Sequence, residues 1–145
     1  MVRHLLAFLV IIAVASCSSS RYCTARRRYV KVGVDTTKPH DIKGIYCISS
    51  TPDTTNGGNN AMVIVNLFAR VGGRHLDQGV VWFYNASDTT KILIEDEGSV
   101  KRIKAGKYGV YGWSMYTNGV AIKELDIKAD TRLEINMYLG SRLDY

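Results

Sequence analysis

The chain has 145 residues, of which 46% are hydrophobic and only two are proline, which suits one folded domain with appendages and excludes a multidomain enzyme or a disordered polymer. The formal net charge is +6, but the excess lies upstream: residues 61–145 carry 11 basic and 10 acidic side chains, whereas residues 17–60 carry 7 and 3. A nucleic-acid-binding domain shows the opposite distribution, so we expect no nucleic-acid partner.

The N-terminus has the layout of an export signal. Arg3 gives a basic start, and residues 5–15 form an uncharged apolar run of signal-peptide length. At ~1.5 Å per residue this run spans roughly 16 Å as a helix, about half of a ~30 Å hydrocarbon core, so it is too short for a permanent span. It ends in Val14-Ala15-Ser16-Cys17, which resembles the bacterial lipobox. The resemblance implies a signal peptide over residues 1–16 and a lipid on Cys17 that anchors the mature protein to a membrane.

The segment after the lipobox bears on the location. Ser18 stands where an aspartate retains many lipoproteins in the inner membrane, so the resemblance implies the outer membrane, and we favour its periplasmic face. Residues 17–28 form a polar tether that ends in Arg26-Arg27-Arg28. Near anionic headgroups this run adds ~1 kcal/mol of attraction per charge; the alternative is a plain solvated tether.

Two cysteines remain once Cys17 is lipidated. In an oxidising compartment Cys23 and Cys47 form an even pair, which favours a disulfide that closes a loop of about 25 residues and contributes roughly 3–4 kcal/mol. The alternative leaves both thiols free. No C-x-x-C occurs, and His40 and His75 stand alone, so neither a metal nor a cofactor is expected.

The upstream half of the mature chain divides in two. Residues 29–34 and 42–48 alternate apolar side chains on either side of a turn-rich stretch, which predicts a β-hairpin extension over residues 29–48. A hairpin alone is marginally stable, so it should lean on the main domain. Residues 49–60 consist mainly of Ser, Thr, Asn and Gly and predict a linker.

Residues 61–145 show period-two alternation broken by regular turn signals, which predicts an antiparallel all-β sandwich. Glu95-Asp96-Glu97 is interpreted as a solvated turn rather than a Ca²⁺ site, because it lacks alternating ligand spacing. Asn118-Gly119 predicts a type I′ hairpin turn. The seven predicted strands cover residues 62–71, 79–84, 91–94, 100–103, 108–116, 120–127 and 133–139.

Three motifs in this region occur in the order of a known family. They are G-x-x-L-x-x-G (Gly73, Leu76, Gly79), D-E-G at residues 96–98 and A-G-K-Y at residues 105–108. Their succession resembles the carboxypeptidase-regulatory-like, transthyretin-like sandwich domains. The resemblance implies that the tyrosine of A-G-K-Y enters the core and that the domain is an accessory, adhesive or anchoring module without catalytic residues.

One strand carries an aromatic stripe. If Tyr108 faces inward, then Tyr111, Trp113 and Met115 line the opposite face, and Gly109 and Gly112 leave room beside the rings. An exposed stripe of this kind suits a protein partner or a sugar ring. The alternative is that the stripe packs under the upstream hairpin.

Asp-Thr-Thr occurs three times, beginning at Asp35, Asp53 and Asp88. In turns and linkers these side chains bond to nearby backbone. The triplets also resemble the Asp-Thr acceptor of a bacterial O-glycosylation system. That resemblance names three acceptor threonines: Thr36, Thr54 and Thr89.

No catalytic constellation is visible, because neither G-x-S-x-G nor H-E-x-x-H occurs. We therefore expect a non-enzymatic outer-membrane lipoprotein that anchors or scaffolds another envelope protein, such as part of a type VI secretion apparatus. The alternative is a module that binds a carbohydrate or surface ligand through exposed aromatics. An enzyme with an unrecognised site is the third hypothesis.

Overall fold

The computed structural model describes residues 29–39, 43–95 and 99–140. Over these ranges the protein is all-β, with one 3-10 turn at Thr54–Asn56. In the same ranges no helix is long and apolar enough to cross a membrane. The strands are Lys31–Val34 (β1), Ile45–Pro52 (β2), Asn60–Phe68 (β3), Gly79–Tyr84 (β4), Thr89–Ile94 (β5), Ser99–Lys104 (β6), Gly106–Trp113 (β7), Val120–Ile127 (β8) and Thr131–Tyr138 (β9).

The strands form two sheets. The five-stranded sheet has the order β1-β2-β9-β3-β6, and the four-stranded sheet has the order β5-β4-β7-β8. All neighbours are antiparallel except β3 and β9, which run parallel. Both sheets contribute to one apolar core, so the predicted all-β sandwich is confirmed. The prediction that it is antiparallel throughout is wrong, because β3 and β9 run parallel. The sandwich contains nine described strands rather than seven, because the two hairpin strands join the five-stranded sheet.

β2, in the segment upstream of residue 61, is part of the sandwich rather than an extension of it. It lies between β1 and β9 and pairs with β9 from Ile45↔Tyr138 to Pro52↔Thr131. Residues 49–52, predicted as the start of a linker, therefore belong to a strand. A Ser-rich stretch that ends in proline is a poor strand signal in isolation, but a sheet neighbour that satisfies the backbone groups overrides the composition. The connection to β3 is reduced to residues 53–59.

The core lies between the inward faces of the two sheets. Alternation along β3 points Val63, Val65 and Leu67 inward, as predicted, and all three are fully buried. β3 ends at Phe68 rather than at residue 71, because the chain turns where the Gly73 amide donates to the Arg70 carbonyl. Complete burial of each large apolar side chain stabilises the fold by about 1.5–3 kcal/mol. The largest are Phe83, Leu67, Ile94, Ile122, Ile127, Ile135, Met137 and Leu139.

The loop between β1 and β2 is fixed against the other sheet. The Ala121 amide donates to Asp35 Oδ2 at 2.9 Å, and Lys38 Nζ donates to the Asn118 carbonyl at 2.6 Å. Lys31 Nζ reaches the Glu124 carbonyl at 3.3 Å. The contacts to Ala121 and Glu124 satisfy backbone groups on the open edge of β8, which would otherwise offer a template for another strand.

Candidate functional site: the aromatic face of the four-stranded sheet

Large side chains cover the outer face of the four-stranded sheet. Val81, Phe83 and Val110 point into the core, so the residues alternating with them in β4 and β7 point outward. Cross-strand pairing then brings the outward residues of three strands together, since Trp82 stands opposite Tyr111 and Val80 stands between Leu93 and Trp113. We call this surface the aromatic face; it consists of Trp82, Tyr84, Leu93, Tyr111 and Trp113.

The aromatic face is open to solvent and its rings are ordered by contact. Trp82 and Tyr111 stack with centroids 5.8 Å apart and an interplanar angle of 26°. The exposed fraction is 37% for Trp113, 44% for Tyr84 and 53% for Leu93. Aromatic pairs in this offset geometry contribute about 0.5–1.5 kcal/mol beyond their buried area. The surface is therefore preorganised, which lowers the entropic cost of binding.

Two of the tyrosine rings pack against glycine residues. The Tyr84 ring lies over Gly109, where an added Cβ would come within 2.4 Å of a ring carbon. The Tyr111 hydroxyl lies over Gly119 in the same way, with a separation of 2.5 Å. Gly109 thus leaves room for a ring, as predicted, but the ring is that of Tyr84 rather than of Tyr111 or Trp113. The expectation that Gly112 leaves room beside the rings is wrong, because Gly112 faces the core. An added Cβ there would lie 2.5 Å from the Met137 sulfur.

The two strands of the hairpin do not cover the aromatic stripe. β1 and β2 belong to the five-stranded sheet, whereas the stripe lies on the outer face of the other sheet. The interpretation that the stripe packs under the hairpin is therefore wrong for β1 and β2; residues 40–42 of the loop between them lie outside the described ranges. The hairpin instead buries Tyr46 and Ile48 in the main core, because a strand that joins a sheet shares the inner face of that sheet.

Met115 lies in a loop rather than on the stripe. β7 ends at Trp113, and residues 114–119 connect it to β8. The predicted type I′ turn at Asn118-Gly119 is wrong, because the residues with positive φ are Tyr116 (62°) and Gly119 (67°). Thr117 Oγ1 donates to the Ser114 carbonyl at 2.8 Å, and this side chain to backbone bond competes with the strand ladder and ends β7.

The same loop presents two further large side chains. Met115 is 60% exposed and Tyr116 is 67% exposed. The left-handed backbone at Tyr116 costs about 1–3 kcal/mol, which the surrounding hydrogen bonds must offset. Ser114 Oγ donates to the Gln78 carbonyl at 2.6 Å and ties the loop to the chain before β4. Beside the two side chains lies a groove of about 320 Å³ that includes Leu76.

Charged side chains surround the aromatic face without entering its centre. Lys91 stands opposite Trp82 on the edge strand β5 and is exposed. At the other end of the sheet, a groove of about 330 Å³ runs along Tyr84 and includes Lys107 and Lys123. The exposed Lys107–Glu124 ion pair, 3.0 Å long, contributes little stability. An apolar centre with a polar rim is the usual anatomy of a protein interface.

The predicted lipidation and disulfide residues lie mostly outside the described part of the chain. Cys17 and Cys23 are not among the described residues, so the lipid anchor stays a prediction. Cys47 is fully buried and is disulfide-bonded. Its partner falls outside the described ranges, and pairing with Cys23 also stays a prediction.

The three candidate glycosylation threonines are exposed: Thr36, Thr54 and Thr89. The local bonding expected of the triplets is present in two of them, where Asp35 Oδ1 accepts from the Thr37 amide at 2.9 Å and Asp53 Oδ1 accepts from the Thr55 amide at 3.1 Å. The third triplet differs, because Thr89 already begins β5. Modification at any of the three stays a prediction.

The histidine and acidic candidates form no site in the described ranges. His75 packs edge-on against Phe68 with centroids 5.3 Å apart. His40 and residues 96–98, which include most of the acidic turn, lie outside those ranges. Elsewhere in the part that the structure describes, no three His, Cys, Asp or Glu side chains cluster as metal ligands.

Sequence reasoning missed Trp82, Tyr84 and Leu93 as members of the surface. A signal was present, because the period-two pattern of GVVWFY places Trp82 and Tyr84 on the face opposite Phe83. Which strands lie beside β4, however, depends on the register of long-range pairing.

Comparison with known proteins supplies no identity, since no protein-family model matches the chain and no curated protein matches it.

Proposed function

We propose that this protein is a non-enzymatic, lipid-anchored lipoprotein of the outer membrane that scaffolds another envelope protein through its aromatic face. Cys17 carries the lipid, and the partner is a subunit of an envelope assembly such as a type VI secretion apparatus. The observation that carries the proposal is that Tyr84, Leu93 and Trp113 stay 37–53% exposed on a sheet whose inner face is fully packed. Contiguous exposed aromatics on a rigid surface mark interaction sites.

The composition of this surface favours a protein partner. Trp, Tyr and Met are enriched at the centres of protein interfaces, where they supply most of the binding free energy. Trp113 is followed by the exposed Met115 and Tyr116 on a loop held by hydrogen bonds. A partner can therefore contact a continuous stretch of β7 and the loop after it, and this loop does not have to become ordered on binding.

We further propose that the sandwich is transthyretin-like. Two observations support this assignment. Tyr108, the last residue of the A-G-K-Y motif, is 4% exposed and packs edge-on against Phe83 at 6.5 Å. The G-x-x-L-x-x-G motif connects β3 to β4, with its final glycine at the first residue of β4.

In-cell photocrosslinking tests the proposed docking role. A photoreactive amino acid at position 91 of the full-length lipidated protein, opposite Trp82 on the edge strand β5, should capture one fixed set of envelope proteins, identified by mass spectrometry. Capture should be lost with Trp113→Ala and with Cys17→Ala. The matched control is Val100→Ala, which removes an exposed apolar side chain (57%) from the other sheet and should leave capture unchanged. Capture of no specific protein, or capture indifferent to Trp113, would contradict the proposal.

A carbohydrate ligand is the second candidate, favoured by the flat stack of Trp82 on Tyr111. Sugar rings pack their apolar faces against such platforms. The chain contains two tryptophans, and both lie on the aromatic face, so tryptophan fluorescence reports on this surface alone. Saturable quenching by soluble glycan fragments, lost with Trp82→Ala, would favour this candidate over a protein partner.

A further inference from the structure

The two outer surfaces of the sandwich differ in burial. On the four-stranded sheet Tyr84, Leu93 and Trp113 stay 37–53% exposed and Trp82 and Tyr111 are half-buried, whereas the centre of the outer face of the five-stranded sheet is closed to solvent. Cross-strand pairing places its members on one face, since Cys47, Asn136 and Asn66 stand in one row. Five outward residues there are at most 8% exposed: Cys47, Ser49, Ile64, Asn136 and Tyr138. We call this surface the closed face.

The first described residue already lies on the closed face. Asn136 Nδ2 donates to the Tyr29 hydroxyl at 3.0 Å, and Asn66 Nδ2 donates to Asn136 Oδ1 at 2.7 Å. Tyr29 also packs against the apolar cluster of Cys47 and Tyr138. The chain therefore reaches the sandwich from upstream on this side, and a buried polar chain of this kind fixes it in place.

The disulfide at Cys47 ties the same face to the upstream segment. The chain has three cysteines, at positions 17, 23 and 47, and Cys47 is bonded, so its partner precedes Tyr29. A lipid on Cys17 leaves Cys23 as that partner. We propose that a Cys23–Cys47 bond holds the closed face toward the membrane and so presents the aromatic face away from it, toward the partner protein. This inference rests on the proposed lipid anchor.

Tether length excludes the orientation in which the aromatic face meets the membrane. Cys17 precedes Cys23 by six residues, which reach about 20 Å when extended. To bring the aromatic face to the membrane, the tether would have to cross β2 and β1, about 10 Å at ~4.8 Å per strand, and then the thickness of the sandwich, about 20 Å with side chains. This path of about 30 Å is longer than the distance of about 20 Å that the chain from Cys17 to Cys23 can span. Without the bond, the twelve residues from Cys17 to Tyr29 reach about 40 Å, and the domain can turn over.

Peptide mapping tests the bond. Trypsin cleaves after Arg21 and separates Cys17 from Cys23, whereas Cys47 lies in a third peptide that starts at Gly44. A non-reducing digest of the full-length protein from membranes should contain a Cys23–Cys47 peptide and a separate lipid-modified Cys17 peptide. A Cys17–Cys47 peptide would overturn both this inference and the anchor. A Cys23–Cys47 peptide beside an unmodified Cys17 would overturn the proposed anchor, and the orientation with it.

Fluorescence tests the orientation. The full-length lipidated protein is placed on vesicles that contain lipids with a nitroxide on the headgroup, which quenches only nearby tryptophans; Trp82 and Trp113 both lie on the aromatic face. We expect little quenching in the wild type. A Gly/Ser insertion between Ser20 and Arg21 that extends the reach of the tether from Cys17 to Cys23 to about 40 Å keeps the Cys23–Cys47 bond and the fold. This insertion should raise the quenching several-fold. The paired substitutions Cys23→Ser and Cys47→Ser should have the same effect. Equal quenching in wild type and insertion variant overturns the orientation.

Discussion

Two alanine substitutions on one strand should separate stability from docking. Gly109 and Gly112 both lie in β7, neither has a positive φ, and their missing side chains point to opposite faces. At Gly112 the new Cβ would meet the Met137 sulfur at 2.5 Å inside the core; at Gly109 it would meet the Tyr84 ring at 2.4 Å on the surface. The same added methyl group therefore tests the core and the aromatic face separately.

The size of each stability change depends on how easily the side chain that meets the new methyl group can move away. Met137 is fully buried, so the overpacking in Gly112→Ala should cost about 1–3 kcal/mol, reduced by about 0.4–1 kcal/mol because alanine restricts the unfolded chain. At roughly 4–8 °C per kcal/mol the Tm should fall by about 5–10 °C. Tyr84 is 44% exposed and can swing into solvent, so Gly109→Ala should change the stability by less than about 1 kcal/mol.

The assay pairs thermal unfolding, followed by circular dichroism, with partner capture at a temperature where both variants are folded. Gly112→Ala should lose stability and keep capture, whereas Gly109→Ala should keep stability and lose capture. If Gly109→Ala destabilises the fold as much as Gly112→Ala, the exposed ring is a structural element. If it leaves capture intact, Tyr84 takes no part in docking, and the assignment of the aromatic face is refuted.

Three further predictions concern the stability of the fold. Burial raises the pKa of the hydroxyls of Tyr46, Tyr108 and Tyr138 above the ordinary value near 10. Because the unfolded chain then loses these protons at a lower pH than the folded protein, the stability should hold below pH ~10 and fall above it. Thermal melts between pH 8 and pH 11, together with phenolate absorbance, test this expectation. Asp35→Ala leaves the Ala121 amide without its partner and should cost about 1–3 kcal/mol by urea unfolding, whereas Asp53→Ala, which removes the same local bonds at an exposed turn, should cost less than about 1 kcal/mol. Reduction of the Cys47 disulfide should lower stability by about 3–4 kcal/mol if the closed loop spans about 25 residues, and a melt unchanged by reductant would contradict that loop.

The strands themselves could be predicted from the sequence, because alternation and turn residues are local signals. All seven strands predicted after residue 60 form, and Tyr108 enters the core. The fate of β2 could not be predicted in the same way. Its second half reads SSTP, a linker by composition, and becomes a strand only because β9, about 80 positions downstream, pairs with it. Such pairing is a tertiary effect that overrides propensity.

The site was predictable to the extent that one strand contains it. Tyr111 and Trp113 alternate with buried residues in β7, so their outward direction follows from the period of two. The contribution of Trp82 and Tyr84 depends on β4 pairing with β7, and that of Leu93 depends on β5 pairing with β4. Met115 was misplaced because the hydrogen bonds between Thr117 and Ser114 end the strand three residues earlier than predicted. The strand pairing has no local sequence signature.

The position of β9 governs when this protein can fold. The last described strand lies between β2 and β3 in the five-stranded sheet and pairs, for example, Tyr46 with Met137 and Val63 with Leu133. Contacts across such distances in sequence form slowly, and they cannot form before the C-terminal strand is synthesised. Until then β2 and β3 have no common neighbour. If the chain is exported in an extended state, as the proposed function requires, this topology leaves β2 and β3 without their common neighbour until β9 has also crossed the membrane.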